Sequence, residues 1–141
     1  MKIEQDARLE DEATIRQWPE GDRREMGTDA YLDIAEGSCG ITLRTGDDTV
    51  VGIASFHLND VLLVGQCVDV FHLATCATGY GRCLMAGIAR EALMLSRHLF
   101  IVPLPAASSY YGHIGMTQHY LIGWYVDKDD MRDFIAQLEA A

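Results

Sequence analysis

The spacing of apolar residues changes several times along the chain, and each change marks an element. Met1 to Arg8 reads as a short first strand, and Glu10 to Trp18 as a helix ended by Pro19 and Gly21. Thr28 or Asp29 is placed to cap a second helix running to about Glu36, with Gly37 as its stop. The period then switches to two. Cys39 to Arg44 alternates as a strand, Thr45-Gly46-Asp47-Asp48 reads as a hairpin turn, and Thr49 to Leu58 is the return strand. Asn59-Asp60 reads as a further turn. Val61 to Leu73 is a valine-rich apolar run that suits a central strand, or two short segments broken at Gly65.

The strongest helix spans Gly79 to Arg97. Leu84, Met85, Ile88, Ala89, Ala92 and Leu95 form one wide face, while Arg82, Arg90 and Arg97 lie away from it. Leu99 to Leu104 is predicted as a strand ended by Pro105. Ser108 or Ser109 can cap a short helix to Ile114, stopped by Gly115. His119 to Val126 reads as an aromatic strand and Asp129 to Ala140 as an amphipathic helix with acid at its start. Helices, an antiparallel meander and then strand–helix–strand–helix–strand make an α+β domain. Its sheet is mixed, with one parallel crossover.

Composition narrows the class. The chain has 141 residues, 49% of them hydrophobic, which suits one domain with one core and no staples. No repeat or linker divides residues 1–141. No apolar run reaches the ~18 residues of a membrane span, and the acidic N-terminus lacks the apolar stretch of a signal peptide. A cytoplasmic protein is the expectation. The four cysteines form no C-x-x-C pair and the five histidines no H-E-x-x-H, so no metal is expected.

The formal net charge is −10, and no basic patch stands ready to neutralise phosphate, so neither nucleic acid nor membrane is an expected partner. Carboxylates crowd residues 1–37 and recur at Asp127, Asp129, Asp130 and Asp133, whereas no acid lies between Glu91 and Asp127. Such clustering either aids solubility or sets up a field that attracts a cationic partner.

Gly79-Tyr80-Gly81 follows a strand and opens a helix. There the first amides of the helix lack internal partners and the dipole is positive, which suits a pyrophosphate. A tight structural turn is the other explanation. No Lys-Ser/Thr follows as a P-loop needs. A dinucleotide fingerprint would need a third glycine where Leu84 stands and an acid about 20 residues on.

The run Cys76-Ala77-Thr78-Gly79-Tyr80-Gly81-Arg82-Cys83-Leu84-Met85 resembles motif A of the GNAT superfamily of acyl-CoA-dependent N-acyltransferases, R/Q-x-x-G-x-G/A followed by a helix. Both glycines and the Leu-Met pair match, and cysteine stands at the Arg/Gln position, whose side chain in the family supports the pyrophosphate loop. Tyr111-Gly112-His113-Ile114-Gly115-Met116 resembles the family's later Tyr-x-x-x-Gly-Phe pattern, with methionine for phenylalanine. The resemblance covers about Met1 to Val126. It implies a mostly antiparallel sheet flanked by helices, with one strand–helix–strand crossover and a splayed cofactor site.

The resemblance also implies acetyl transfer from acetyl-CoA to an amine, without a metal. Backbone groups of Thr78, Gly79, Tyr80, Gly81 and Arg82 would then cradle the pyrophosphate, and the strand at Phe71, His72 and Leu73 would pair with the pantetheine arm. Tyr111 matches the proton donor to the leaving thiolate, with Tyr110 the donor if the helix is offset by one. Asp69 and His72 are the candidate bases, His72 alternating to the opposite face and lying nearer the splay, unless ordered water serves. The acidic stretch Glu20 to Asp33 would border the acceptor cleft and favour a cationic amine. A homodimer is compatible with the resemblance. The alternative is a domain of this fold that binds acyl-CoA as a sensor, or serves as an interaction module, without catalysis.

Overall fold

A computed structural model describes residues 1–119 and 123–140. Its sheet has seven strands in the order β1-β2-β3-β4-β5-β7-β6. They are β1 (Lys2–Gln5), β2 (Cys39–Arg44), β3 (Val50–Val61), β4 (Gly65–Thr75), β5 (His98–Ile101), β6 (Thr117–His119) and β7 (Gly123–Val126). The helices are α1 (Asp11–Ile15), α2 (Asp22–Ala35), α3 (Gly81–Met94), α4 (Ser108–His113) and α5 (Met131–Glu139). Every strand pair is antiparallel except β4 with β5, which α3 connects. No described helix is long and apolar enough to cross a membrane.

Two apolar clusters hold the helices to the sheet. On one face, Leu84, Ile88 and Ala92 of α3 and Met131, Phe134 and Leu138 of α5 pack on Val68, Val70, Leu99 and Ile101. On the other, Ile15, Trp18, Ala30 and Tyr31 pack on Val50, Ile53 and Ala74. One wide helical stripe and two inward-facing sheet surfaces are what the sequence periods require. A buried ion pair ties the second layer to the sheet. Arg44, 1% exposed, meets Asp11, 2% exposed, through Nη1–Oδ1 at 2.9 Å and Nη2–Oδ2 at 2.5 Å.

Several boundaries differ from the sequence reading, each for a physical reason. Helix α2 starts at Asp22 rather than near Thr28, because Gly27 is interior: an added Cβ there would lie 2.6 Å from the Trp18 ring. Thr28 is no cap, since its hydroxyl donates back to the Arg24 carbonyl at 2.8 Å. Asn59 and Asp60 are not a turn; they pair with Cys67 and Gln66, and the chain reverses between Val61 and Gly65. The strand read from His119 to Val126 is two strands, β6 ending at His119 and β7 beginning at Gly123, with residues 120–122 outside those described.

The pairing of β3 with β4 slips between Ser55 and Phe56. Ser55 opposes His72 while Phe56 opposes Val70, which leaves Phe71 as an extra residue in β4. Beside this bulge the parallel pairing ends. Among the described residues, β4 pairs with β5 only from Cys67–His98 to Val70–Ile101, and β4 then runs on to Thr75 with no described strand on that side.

Candidate functional site

The site begins where β4 and β5 part. β5 ends at Ile101, and Pro103 and Pro105 carry the chain away, since proline supplies no amide to continue the ladder. Two cavities occupy the gap. The larger, about 480 Å³, is lined by Arg23, Thr75, Thr78, Gly79, Gly81 and Arg82 and by Tyr110 and Tyr111. The smaller, about 360 Å³, is lined by Phe71, His72, the segment 101–105 and Tyr111. Met26, Leu73, Leu104, Ala107 and Tyr111 line both, so the two adjoin along the edge of β4.

One end of the larger cavity is the loop into α3. Gly79 has φ +105°, a conformation that needs glycine. Gly81 is there for a different reason: an added Cβ would lie 3.2 Å from the Tyr110 hydroxyl, inside the cavity wall. The first α3 amide to donate within the helix is that of Leu84, to the Tyr80 carbonyl at 3.1 Å. The amides ahead of it have no partner within the helix, as at every helix start. Tyr80 packs on the main core and lines neither cavity. The loop and its bare amides therefore suit a diphosphate.

Arg23 was not foreseen. It reaches across from α2, donating through Nη1 to the Thr75 hydroxyl at 2.9 Å and carbonyl at 3.2 Å, and through Nη2 to the Thr78 hydroxyl at 3.4 Å. The half-buried Cys76 meanwhile packs against both apolar clusters, and its amide donates to the Val51 carbonyl at 2.9 Å. Polar support for the loop thus comes from α2, while position 76 serves packing. No spacing rule links residue 23 to residue 75, and only the fold joins them.

At the junction of the cavities stands Tyr111, 6% exposed. Burial pushes its phenol up to about 12, with a smaller contribution from Tyr110. It stays protonated through neutral pH and retains a proton to give. Tyr110 sits edge-on to it, ring centroids 5.4 Å apart, and burial raises its phenol too, against a nearby Arg82 that lowers it. Gly112 admits the Trp124 ring, to which an added Cβ would approach within 2.9 Å. Trp124 in turn donates to the Ser108 hydroxyl at 3.0 Å, which fixes α4 on β7.

The two candidate bases are placed differently from expectation in one respect. Ser55 and His57 lie two apart on β3 and share a face, and they oppose His72 and Asp69 respectively. The bulge therefore puts Asp69 and His72 on the same face, not opposite ones. Asp69 lines neither cavity and accepts from Asn59 at 3.1 Å; burial raises its carboxyl, against the lowering effects of Asn59 and His57. His72 lines the smaller cavity, and its Nδ1 meets Asp33 Oδ2 of α2 at 2.5 Å.

The acidic stretch is dispersed. Asp22 lines the larger cavity, Glu20 pairs with Arg24 at 3.2 Å, and Glu25 and Asp29 line a separate surface hollow. Asp33 lies under His72. Among the described residues no cluster of three His, Cys, Asp or Glu side chains is placed to hold a metal ion.

Comparisons with known proteins bear on the fold. No family model and no curated protein matches the chain in sequence. Solved structures match over nearly its whole length. A GNAT family N-acetyltransferase, YhbS from Escherichia coli in complex with CoA, is 17% identical with a TM-score of 0.64, covering 92% of this chain and 83% of that one. AtaTR bound with AcCoA is 17% identical with a TM-score of 0.66, covering 93% and 95%. The KacTA–DNA complex matches at 16% identity and a TM-score of 0.66, covering 96% and 99%. The fold thus also occurs in a complex with DNA, and the expectation that this chain dispenses with nucleic acid rests on its own charge. Seven strands with one parallel pair, flanked by helices, match the fold of the GNAT acetyltransferases.

Proposed function

We propose that the chain is an acyl-CoA-dependent N-acyltransferase that moves an acetyl group from acetyl-CoA to an amine. The observation that carries this reading is the split itself. It runs from a helix N-terminus with bare amides, along the open edge of β4, to a buried protonated tyrosine. The amides of residues 78–82 would receive the diphosphate, and the edge at Phe71 to Leu73 would hydrogen-bond the pantetheine arm as an added strand does. Tyr111 would protonate the departing thiolate. Burial raises the pKa of a phenol and of a thiol alike, so the two remain close enough for transfer.

The acceptor is read as an amine with an apolar body. Met26, Phe71 and Leu73 offer it apolar surface, while the net charge of −10 draws cations from a distance. The test is release of coenzyme A thiol from acetyl-CoA over a panel of amines, with the amide product weighed by mass spectrometry. Release that depends on an amine supports the reading. Acetyl-CoA binding by calorimetry without turnover on any amine would replace it with a binding module, the reading that the cysteine at position 76 favours.

A further inference from the structure

Three elements meet under the smaller cavity. The carboxylate of Asp33, on the last turns of α2, takes the hydroxyl of Ser55 from β3 at 2.7 Å and faces Nδ1 of His72 from β4 at 2.5 Å, both through Oδ2. Ser55 is fully buried, so its hydroxyl fixes the carboxylate without competition from water. The side chains of His72 and Asp33 are 30% and 26% exposed. His72 lines the cavity beside Tyr111, and its Nε2 has no hydrogen-bond partner among the described residues.

We propose that Asp33 is a positioning residue, which holds His72 with Nδ1 protonated and the Nε2 lone pair available to take the acceptor amine's proton. The proposal rests on the acyltransferase reading. An imidazole gripped at one nitrogen by a carboxylate has its tautomer and ring angle set, and the imidazolium formed on proton uptake is stabilised where it stands. In the reaction the neutral amine nitrogen bonds to the thioester carbonyl carbon and sheds one proton to Nε2. The C–S bond breaks, and the sulfur leaves with the electron pair and takes the Tyr111 proton. His72 returns its proton through water to the phenolate, so amine and thioester become amide and thiol.

The surroundings leave His72 as the base. Asp69 is on the same face but lies outside both cavities, held by Asn59. His57, on β3, is taken by Ser38 at 3.0 Å and stacks on Phe71. Helix α4 brings Tyr111, and the segment 101–105 brings no titratable group. Asp22 and Arg23, at the far end of α2, line the larger cavity.

The test uses the full chain and two kinds of readout. Nitrogen-15 NMR of the histidine rings should show His72 with its proton on Nδ1, and Asp33→Asn should shift it toward Nε2. In the thiol-release assay His72→Gln should lower kcat/KM by about 10²- to 10⁴-fold and remove the acidic limb of its pH profile. Asp33→Asn should lower kcat/KM less, by roughly tenfold or more, and Ser55→Ala less again, all with acetyl-CoA affinity within about twofold. Asp33→Asn with an unchanged tautomer and an unchanged acidic limb overturns the proposal while the acyltransferase reading stands. No turnover by the parent chain with any amine overturns that reading, and the base role with it.

Discussion

The two glycines of the α3 loop should fail in different ways, and the difference tests what the loop binds. An added Cβ at Gly79 meets nothing within 4 Å, so Gly79→Ala costs backbone strain at φ +105° and nothing else. That strain is about 1–3 kcal/mol. If it falls on the loop's binding shape, it weakens acetyl-CoA by roughly 5- to 150-fold, at 1.4 kcal/mol per tenfold. Gly81 has no such strain, and its Cβ would press only on the Tyr110 hydroxyl at 3.2 Å. Gly81→Asp, however, places a carboxylate among the amides. At roughly 5 Å and an effective dielectric near 20, each phosphate charge is repelled by about 3 kcal/mol. Affinity should then fall by more than about 100-fold. The same carboxylate at a helix N-terminus stabilises the fold by about 0.3–1 kcal/mol. Binding and stability must therefore move in opposite directions, an outcome that general damage cannot mimic. Calorimetric titration with acetyl-CoA and a thermal melt decide it. A Gly81→Asp protein that melts at or above the parent temperature and binds acetyl-CoA as before would refute the diphosphate assignment.

Tyr111→Phe should lower kcat by roughly 10- to 10⁴-fold with acetyl-CoA affinity nearly intact; if it is harmless and Tyr110→Phe is inactive, the donor is the neighbouring tyrosine, whose hydroxyl borders Gly81. Arg23→Met keeps the stem but removes the donors to Thr75 and Thr78, a loss of about 1–3 kcal/mol in loop order. Acetyl-CoA should then bind at least several-fold more weakly by calorimetry, and equal affinity would mean that the loop holds its own shape. Asp48 is depressed to about 2 by hydrogen bonds from Arg8 and then Lys2, and Arg8 likewise lowers Glu4. A carboxyl lowered on folding adds stability above its unfolded value near 4, and that stability is lost as pH falls toward 2. Melting temperatures of the parent and Asp48→Asn should therefore differ at pH 6 and converge near pH 2. A constant gap would show that the ion pairs contribute nothing.

The elements legible in the sequence are those whose packing is periodic. Helices α3 and α5 and the β2–β3 hairpin each repeat one contact type along their length, and their apolar positions announce it. Features set by a single distant partner were not legible. Gly27 breaks the helical pattern of α2 until the Trp18 ring is seen against it. The β3–β4 reversal is misplaced because Asn59-Asp60 has turn chemistry, whereas the observed turn runs through Leu62 and Leu63, Leu63 at φ +67°. The motif residues Gly79, Gly81 and Tyr111 stand out in the sequence, and they line one cavity. Arg23 and Asp33 do not stand out, because each acts across the fold. Arg23 looks like any surface cation, and Asp33 is one acid among many until His72 is 2.5 Å away.

The extra residue at Phe71 is what joins these parts. Side chains along a strand alternate, so residues 69 and 72 would lie on opposite faces of a regular β4. A regular strand would turn His72 toward α3 and α5, away from Asp33, and the carboxylate on α2 would face no imidazole. With one residue inserted, His72 turns toward α2, while Val70 before it still packs into the opposite core. The parallel ladder with β5 ends at Val70 and Ile101, one residue before the insertion. A bulge strengthens local twist and bends its strand, and a bent β4 cannot stay in register with a β5 that runs into Pro103. The opening between the strands and the orientation of His72 thus share one cause. A single inserted residue, which no hydrophobic period records, sets both the gap between β4 and β5 and the face toward which His72 points.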